Sequence, residues 1–240
     1  MKNQKTKSER TPNSERRKLK TEPNLKVQLN EEQKKVATLF YQYDVNFIVG
    51  DFGTGKSLTA SALAIKHFRK KECDNIWITR PMLKTQLGAL PGEIEDKLAP
   101  YVYPIMQNLE ACQGKEITEK MIKDGYLKII PIEVAKGVTF SKSVVIVDEF
   151  QDMDYLDFRT IITRLGKDSK IIFCGSKEQI DKRLLEFSCI HDALRLKDSG
   201  LVGFTELTQN QRNPILTNII NFLEKKDEQK SEDSECENRT

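Results

Sequence analysis

The sequence predicts an α/β protein: a single domain with a mostly parallel central sheet flanked by helices. Three observations carry this expectation. Short, continuously apolar runs such as Ser143-Val144-Val145-Ile146-Val147 mark strands buried on both faces. They alternate with segments of helical period. The first of them runs through a Gly-rich turn into a helix and then a second apolar run, and that strand–helix–strand order obliges parallel pairing.

Taken in order, the first helix is expected near Leu29. Asn30 suits an N-cap, Gln33 stands three residues on where a capping box needs it, and Val36, Leu39 and Phe40 follow at helical spacing. Asn46-Phe47-Ile48-Val49-Gly50 reads as a strand, Leu58 to Phe68 as a helix, and Asn75-Ile76-Trp77-Ile78-Thr79 as a second strand. From Met82 to Asp124 the pattern is polar-helical, with breaks expected at Pro91-Gly92 and Pro100, as in an insertion packed beside the sheet. Further strands are expected at 127–130, 143–147, 170–174 and 203–207, and a helix from Tyr155 to Leu165 stopped by Gly166. The last helix takes Asn213 as N-cap and Pro214 as its first residue and runs to about Phe222.

Composition narrows the function classes. The 240 residues are 38% hydrophobic and 31% charged, enough to bury one core, and no apolar run is long enough to span a membrane. The first residues are Lys-rich and polar, unlike a secretory leader. Five widely spaced cysteines without a CxxC pair argue against a disulfide framework or a zinc cluster and for a reducing, cytoplasmic setting. His67 and His191 lack metal-ligand spacing. The net charge of +3 conceals a polarity. Residues 1–26 carry +6 and residues 224–240 carry −3, so the body over 27–223 is balanced. Both ends read as disordered tails, and attraction for nucleic acid would come from the basic arm or a local patch.

The chemistry concentrates in two runs. Gly50-Asp51-Phe52-Gly53-Thr54-Gly55-Lys56-Ser57 satisfies G-x-x-x-x-G-K-[ST] between a strand and a helix. In that context Gly50, Gly53, Thr54 and Gly55 line a bend whose backbone N–H groups cradle phosphate, Lys56 reaches the β and γ phosphates, and Ser57 offers a hydroxyl to Mg²⁺. The strand ending in Asp148-Glu149-Phe150-Gln151 places two carboxylates at the carboxyl edge of the sheet, where open α/β folds bind ligands. Asp148 is the expected Mg²⁺ ligand, and Glu149 the residue that orients and deprotonates the attacking water. That acid pair separates a hydrolase from a small-molecule kinase, which must keep water out.

The run Lys170 to Ser176 is then expected as a strand lying between the loop strand and the acid strand, its tip sensing the γ-phosphate through Gln179 or Ser176. Arg80, Arg164 and Arg212 are cations that could meet phosphate, Arg212 as a finger on the transferred phosphoryl group; each also has an ordinary structural use at a strand or helix end or in a loop. Gln33 is divided between reading adenine and completing the capping box with Asn30.

These residues together resemble the PhoH family of phosphate-loop ATPases, related to superfamily 1 helicase cores. Besides the loop, the resemblance rests on Thr79-Arg80-Pro81, Leu87-Gly88-Ala89-Leu90-Pro91-Gly92, Pro100-Tyr101 with Pro104, Asp148-Glu149-Phe150-Gln151, Thr163-Arg164-Leu165-Gly166, Gly175 with Gln179-Ile180-Asp181, and Arg212-Asn213-Pro214. It implies a RecA-like domain, Mg²⁺-dependent ATP binding and hydrolysis, and a ring-shaped homo-oligomer, a hexamer in the family. It also implies nucleotide roles for Arg80, Gln179 and Arg212, the last reaching a neighbour's site, and a link to single-stranded RNA. Two departures stand out. Ser176 occupies a place where the family usually has Asp, and Lys136-Gly137-Val138 replaces Arg-Gly-Arg. The alternatives to a turning-over ATPase are a nucleotide-switched assembly module with little turnover and an RNA helicase-like motor.

Overall fold

The structure, a computed structural model, describes residues 25–81, 94–180 and 186–211 and the isolated positions 215, 218, 219 and 222. Helix α1 (Glu31–Gln42) leads into strand β1 (Val45–Gly50), and helix α2 (Lys56–Arg69) into β2 (Asn75–Thr79). Helices α3 (Ile94–Gln113) and α4 (Lys115–Lys123) then precede β3 (Leu127–Ile129) and the short α5 (Ile132–Ala135). Strand β4 (Ser143–Asp148) passes through a 3-10 turn (Phe150–Asp152) into α6 (Tyr155–Thr163). Strand β5 (Lys170–Gly175), helix α7 (Ile190–Leu196) and strand β6 (Gly203–Leu207) complete the described elements.

The six strands form one parallel sheet in the order β3-β2-β4-β5-β1-β6. Strand β5 therefore lies between β1 and β4, as the acid pair led us to expect. Alternate residues of each strand face opposite layers. On one face Ile48, Ile76, Ile78, Val144, Ile146 and Ile172 pack beneath α1 to α4, against Phe40, Leu63, Ile105 and Leu109. On the other, Phe47, Val145, Val147, Ile171 and Phe173 meet Ile132, Phe150, Phe158, Ile161 and Ile190. Burial of both faces explains why these strands read as unbroken apolar runs. Leu25, Val27 and Leu29 pack on the first face, and the Lys26 N–H donates to the Cys112 carbonyl at 2.9 Å.

The capping box at the start of α1 is formed in full. The Gln33 N–H donates to Asn30 Oδ1 at 2.8 Å, and the Asn30 N–H returns a bond to Gln33 Oε1 at 3.1 Å. Two sequence expectations need correction. Helix α3 runs without a break through Pro100 and Pro104. A proline removes one backbone donor, but this helix recovers the loss by burying Ile105, Leu109 and Cys112 in the core. Helix α6 ends at Thr163, with Arg164 as its cap, before Gly166. Gly166 is needed for close approach instead: its N–H donates to the Phe140 carbonyl at 2.7 Å, and an added Cβ would stand 2.6 Å from Ser141 Oγ. The break at Pro91-Gly92, the Leu87–Gly92 motif, residues 1–24 and the acidic tail lie outside the described residues. Of the helix from Asn213 only positions 215, 218, 219 and 222 are described, all helical. The expected N-terminal tail is corrected at its end, where Leu25 and Lys26 are held on the core. Among the described residues no helix is long and apolar enough to cross a membrane, and the four cysteines there are buried free thiols.

Phe47 is the pivot of the second layer, stacked on Phe173 at 5.0 Å between centroids and tilted against Phe150 at 5.6 Å. It is 1% exposed. Phe47→Ala is expected to cost about 3–5 kcal/mol, read as a lowered urea midpoint with little change in slope.

Candidate functional site

The bend between β1 and α2 is fixed by its carbonyls. Those of Gly50 and Asp51 accept from Lys56 Nζ at 2.7 and 2.8 Å, and that of Phe52 from Asn210 Nδ2 at 3.2 Å. The Gly53 carbonyl accepts from the Gln211 N–H at 2.8 Å and that of Thr54 from Gln33 Nε2 at 3.3 Å. The Thr54 hydroxyl turns inward to the Asp51 carbonyl at 2.9 Å. A bend whose carbonyls are engaged by the protein suits one whose amides serve an anion, and the α2 N-terminus adds partial positive charge. Gly53 and Gly55 adopt φ of 73° and 82°, the left-handed region, and a Cβ on Gly55 would meet Gln33 Nε2 at 2.6 Å.

Across the sheet, the first turn of α2 meets the tip of β4. Ser57 Oγ donates to Asp148 Oδ1 at 2.6 Å. Asp148 is 5% exposed, and burial pushes its carboxyl above the usual range, against the Ser57 hydrogen bond and the nearby Arg80 and Lys56 charges. Burial likewise holds the Lys56 ammonium below its ordinary value, partly offset by Glu149, Asp148 and Asp51. Both groups are therefore poised to gain from a counter-charge. The pair of a hydroxyl and a carboxylate is the hard-oxygen donor set that suits Mg²⁺, which takes few protein ligands and completes its shell with phosphate and water. Among the described residues there is no group of three or more His, Cys, Asp or Glu that could hold a metal.

Glu149 follows in a left-handed conformation (φ 54°, ψ 43°) unusual for a non-glycine residue. Its Oε1 lies 3.7 Å from Arg80 at the end of β2, and its Oε2 accepts from Gln151 Nε2 at 2.7 Å. Strand order thus brings together Gly50, Gly53, Thr54, Gly55, Lys56, Ser57, Gln33, Arg80, Asp148 and Glu149. Gln179 sits beyond the tip of β5 with an exposed side chain, and its carbonyl is 3.5 Å from Gln151 Nε2. Arg164 is not in the site: its carbonyl accepts from Phe140, and it caps α6 on the way back to the start of β5. Arg212 lies outside the described residues, although Asn210 and Gln211 just before it are pinned to the loop.

Three residues of the site escaped the sequence reading. Gln151 is 1% exposed and bridges the tips of β4 and β5. Glu32 accepts from the Thr208 and Gln209 N–H groups at 3.0 and 3.1 Å, which anchors the strand leaving β6 beside the loop. The Glu178 carboxylate accepts from Ser176 Oγ at 2.9 Å, so a carboxylate stands at the β5 tip beside Ser176. Only Gln151 had any sequence signal, its place in the Asp148–Gln151 run.

The comparisons decide the family. The PhoH-like protein model matches residues 26–224. The chain belongs to the PhoH-like family. It is 31% identical over 198 residues to a PhoH-like protein of Synechocystis sp., which covers 80% of this chain and 60% of that one. It is 30% identical over 199 residues to a PhoH-like protein of Bacillus subtilis, covering 80% and 62%. The chain thus spans less than two thirds of the length of these PhoH-like relatives. Among solved structures it is similar to the UvsW helicase from bacteriophage T4, at a TM-score of 0.50 and 12% identity over 81% of this chain and 66% of that one. That likeness shows the fold, a RecA-like core. This PhoH-like domain is a phosphate-loop NTPase domain, and nucleotide binding is implied by its loop.

Because Gly55 has φ 82° and its open face abuts Gln33, Gly55→Ala is expected to displace the loop while leaving the sheet intact. Isothermal titration with Mg·ATP should show affinity lower by at least about tenfold, with an unchanged far-UV spectrum.

Proposed function

We propose that the PhoH-like body over 27–223, flanked by its basic and acidic tails, binds Mg·ATP on the 50–57 loop and hydrolyses it to ADP and phosphate. The observation that carries this reading is the Ser57–Asp148 hydrogen bond, which puts the loop and the acid pair in one site. Lys56 leaves the loop carbonyls for the β and γ phosphates, while the loop amides and the α2 N-terminus hold the rest of the tail. Ser57 and Asp148 would hold Mg²⁺, which supplies neutralisation of charge on the leaving phosphates. Glu149 orients a water and takes its proton as the water oxygen bonds the γ phosphorus and the bond to the β-phosphate oxygen breaks. Arg80, Gln179 and Arg212 are assigned to the developing charge, Arg212 from a neighbouring subunit of a ring. Gln33, already bonded to the loop, is assigned to reading the base.

The fold of this domain is shared with nucleic-acid motors, whose sites close between two cores, and the described residues form one such core. A homo-oligomer with shared sites supplies the other. The +6 arm over 1–26 provides salt-sensitive attraction for single-stranded RNA, since the body itself is balanced in charge. Specific activity that rises with protein concentration, and RNA stimulation that fades with salt and with removal of residues 1–26, are the expected signs.

Lys56→Ala is expected to abolish nucleotide binding, and Glu149→Gln to bind ATP but lower turnover by at least about a hundredfold. Equilibrium binding together with steady-state phosphate release separates the two. Normal turnover by Glu149→Gln would remove its assigned role.

A further inference from the structure

We propose that Gln151 is a positioning residue: it sets where the Glu149 carboxylate stands and ties that position to the tip of β5. The inference rests on the hydrolytic reading above and goes beyond it by naming what holds the base. Every polar group of the Gln151 side chain is used. Its Nε2 donates to Glu149 Oε2 at 2.7 Å and approaches the Gln179 carbonyl at 3.5 Å. Its Oε1 accepts from the Ser176 N–H at 3.1 Å. The residue's own carbonyl accepts from Ser188 Oγ at 2.6 Å, so backbone and side chain are both fixed.

The approach is built into the neighbouring strand. A Cβ on Gly175 would stand 2.7 Å from Gln151 Oε1 and 2.6 Å from Phe150 Cδ1, so the end of β5 admits the amide only because that position is glycine. Gln151 is 1% exposed and its amide sits among groups that satisfy it, the condition under which a buried polar side chain fixes one geometry.

Glu149 needs such a hold. Its left-handed backbone conformation is one that a non-glycine residue keeps only where the surroundings impose it. Its two oxygens are divided between two elements, Oε1 toward Arg80 of the β2 end and Oε2 toward Gln151. A carboxylate has about four acceptor sites, so both contacts leave capacity for a water. In the reaction itself Gln151 transfers nothing; the proton from water goes to Glu149. Because the same amide grips Ser176, a movement of the β5 tip on meeting the γ-phosphate moves the base with it.

A purely structural glutamine would weaken folding and leave catalysis in proportion to the folded fraction. A positioning residue acts only through Glu149. The test uses the full chain and three variants: Gln151→Glu, which keeps size and an acceptor for the Ser176 N–H but loses the donor to Glu149; Glu149→Gln; and the two combined. Thermal melting checks that each is folded, and Gln151→Leu serves as a second removal of the donor should Gln151→Glu fail to fold. The expected result is Mg·ATP affinity within about threefold of the parent, kcat lower by at least about tenfold with KM little changed, and no further loss when Gln151→Glu is added to Glu149→Gln. A folded Gln151→Glu with kcat within about twofold of the parent, beside an impaired Glu149→Gln, would overturn the proposal and leave the hydrolytic reading standing. So would losses that multiply in the double variant. An unimpaired Glu149→Gln would remove the base assignment and this proposal with it.

Discussion

One contact organises the site: the Ser57 hydroxyl on the Asp148 carboxylate, at 2.6 Å. The loop follows β1 and the acids end β4, and these strands are not neighbours, because β5 runs between them. The Ser57 side chain, from the first turn of α2, spans that gap. The contact therefore requires the parallel order β4-β5-β1, the register that ends all three strands together, and a bend over residues 51–55 short enough to bring Ser57 to the tip of β4. Burial raises the price of leaving Asp148 charged without partners, so the hydroxyl also stabilises the ionised form that a cation would meet.

Much of this was legible in the sequence because it follows from residue type at fixed spacing. The strands at 75–79 and 203–207 match the structure residue for residue. The loop, the acid pair and the strand between them followed from motif order. What escaped depended on tertiary packing. Pro100 breaks an isolated helix, but α3 is held by the residues it buries, and no local rule contains that term. Gly166 looked like a helix stop when its constraint is the backbone of Phe140. Gln33 looked like a choice between cap and base reader; the structure shows one amide bonding Asn30 at one end and the Thr54 carbonyl at the other, so the helix cap and the phosphate bend are a single unit.

Gln151 was illegible for a different reason. Its position in the Asp148–Gln151 run carries no periodicity, and a glutamine three residues past a strand end is ordinarily a solvated loop residue. Its role emerges only when the tips of β4 and β5 are side by side and Gly175 leaves room for the amide. The chemistry of the run is thus split across two levels: the carboxylates are identified by what they are, the glutamine only by what stands next to it.

The middle strand then has a part beyond spacing its neighbours. Toward β4, the Ser176 N–H holds Gln151, and through it Glu149. Toward β1, the Ser176 hydroxyl donates to Glu178. Burial works against the charge on Glu178, but its contact with the Asp51 carboxyl, in which the two groups share a proton, and the Ser176 hydroxyl outweigh it and keep that carboxyl below the usual range. Asp51 belongs to the phosphate bend. One serine at the end of β5 is therefore bonded on one side to the group holding the base and on the other to a carboxylate that reaches the bend. An aspartate at position 176 would supply a charge but no hydroxyl donor; the serine supplies the donor, and Glu178 supplies the charge. Ser176 thus joins the tips of β4 and β5, and Glu178 carries the link on to the bend after β1, which gives the two halves of the site a common part to lean on.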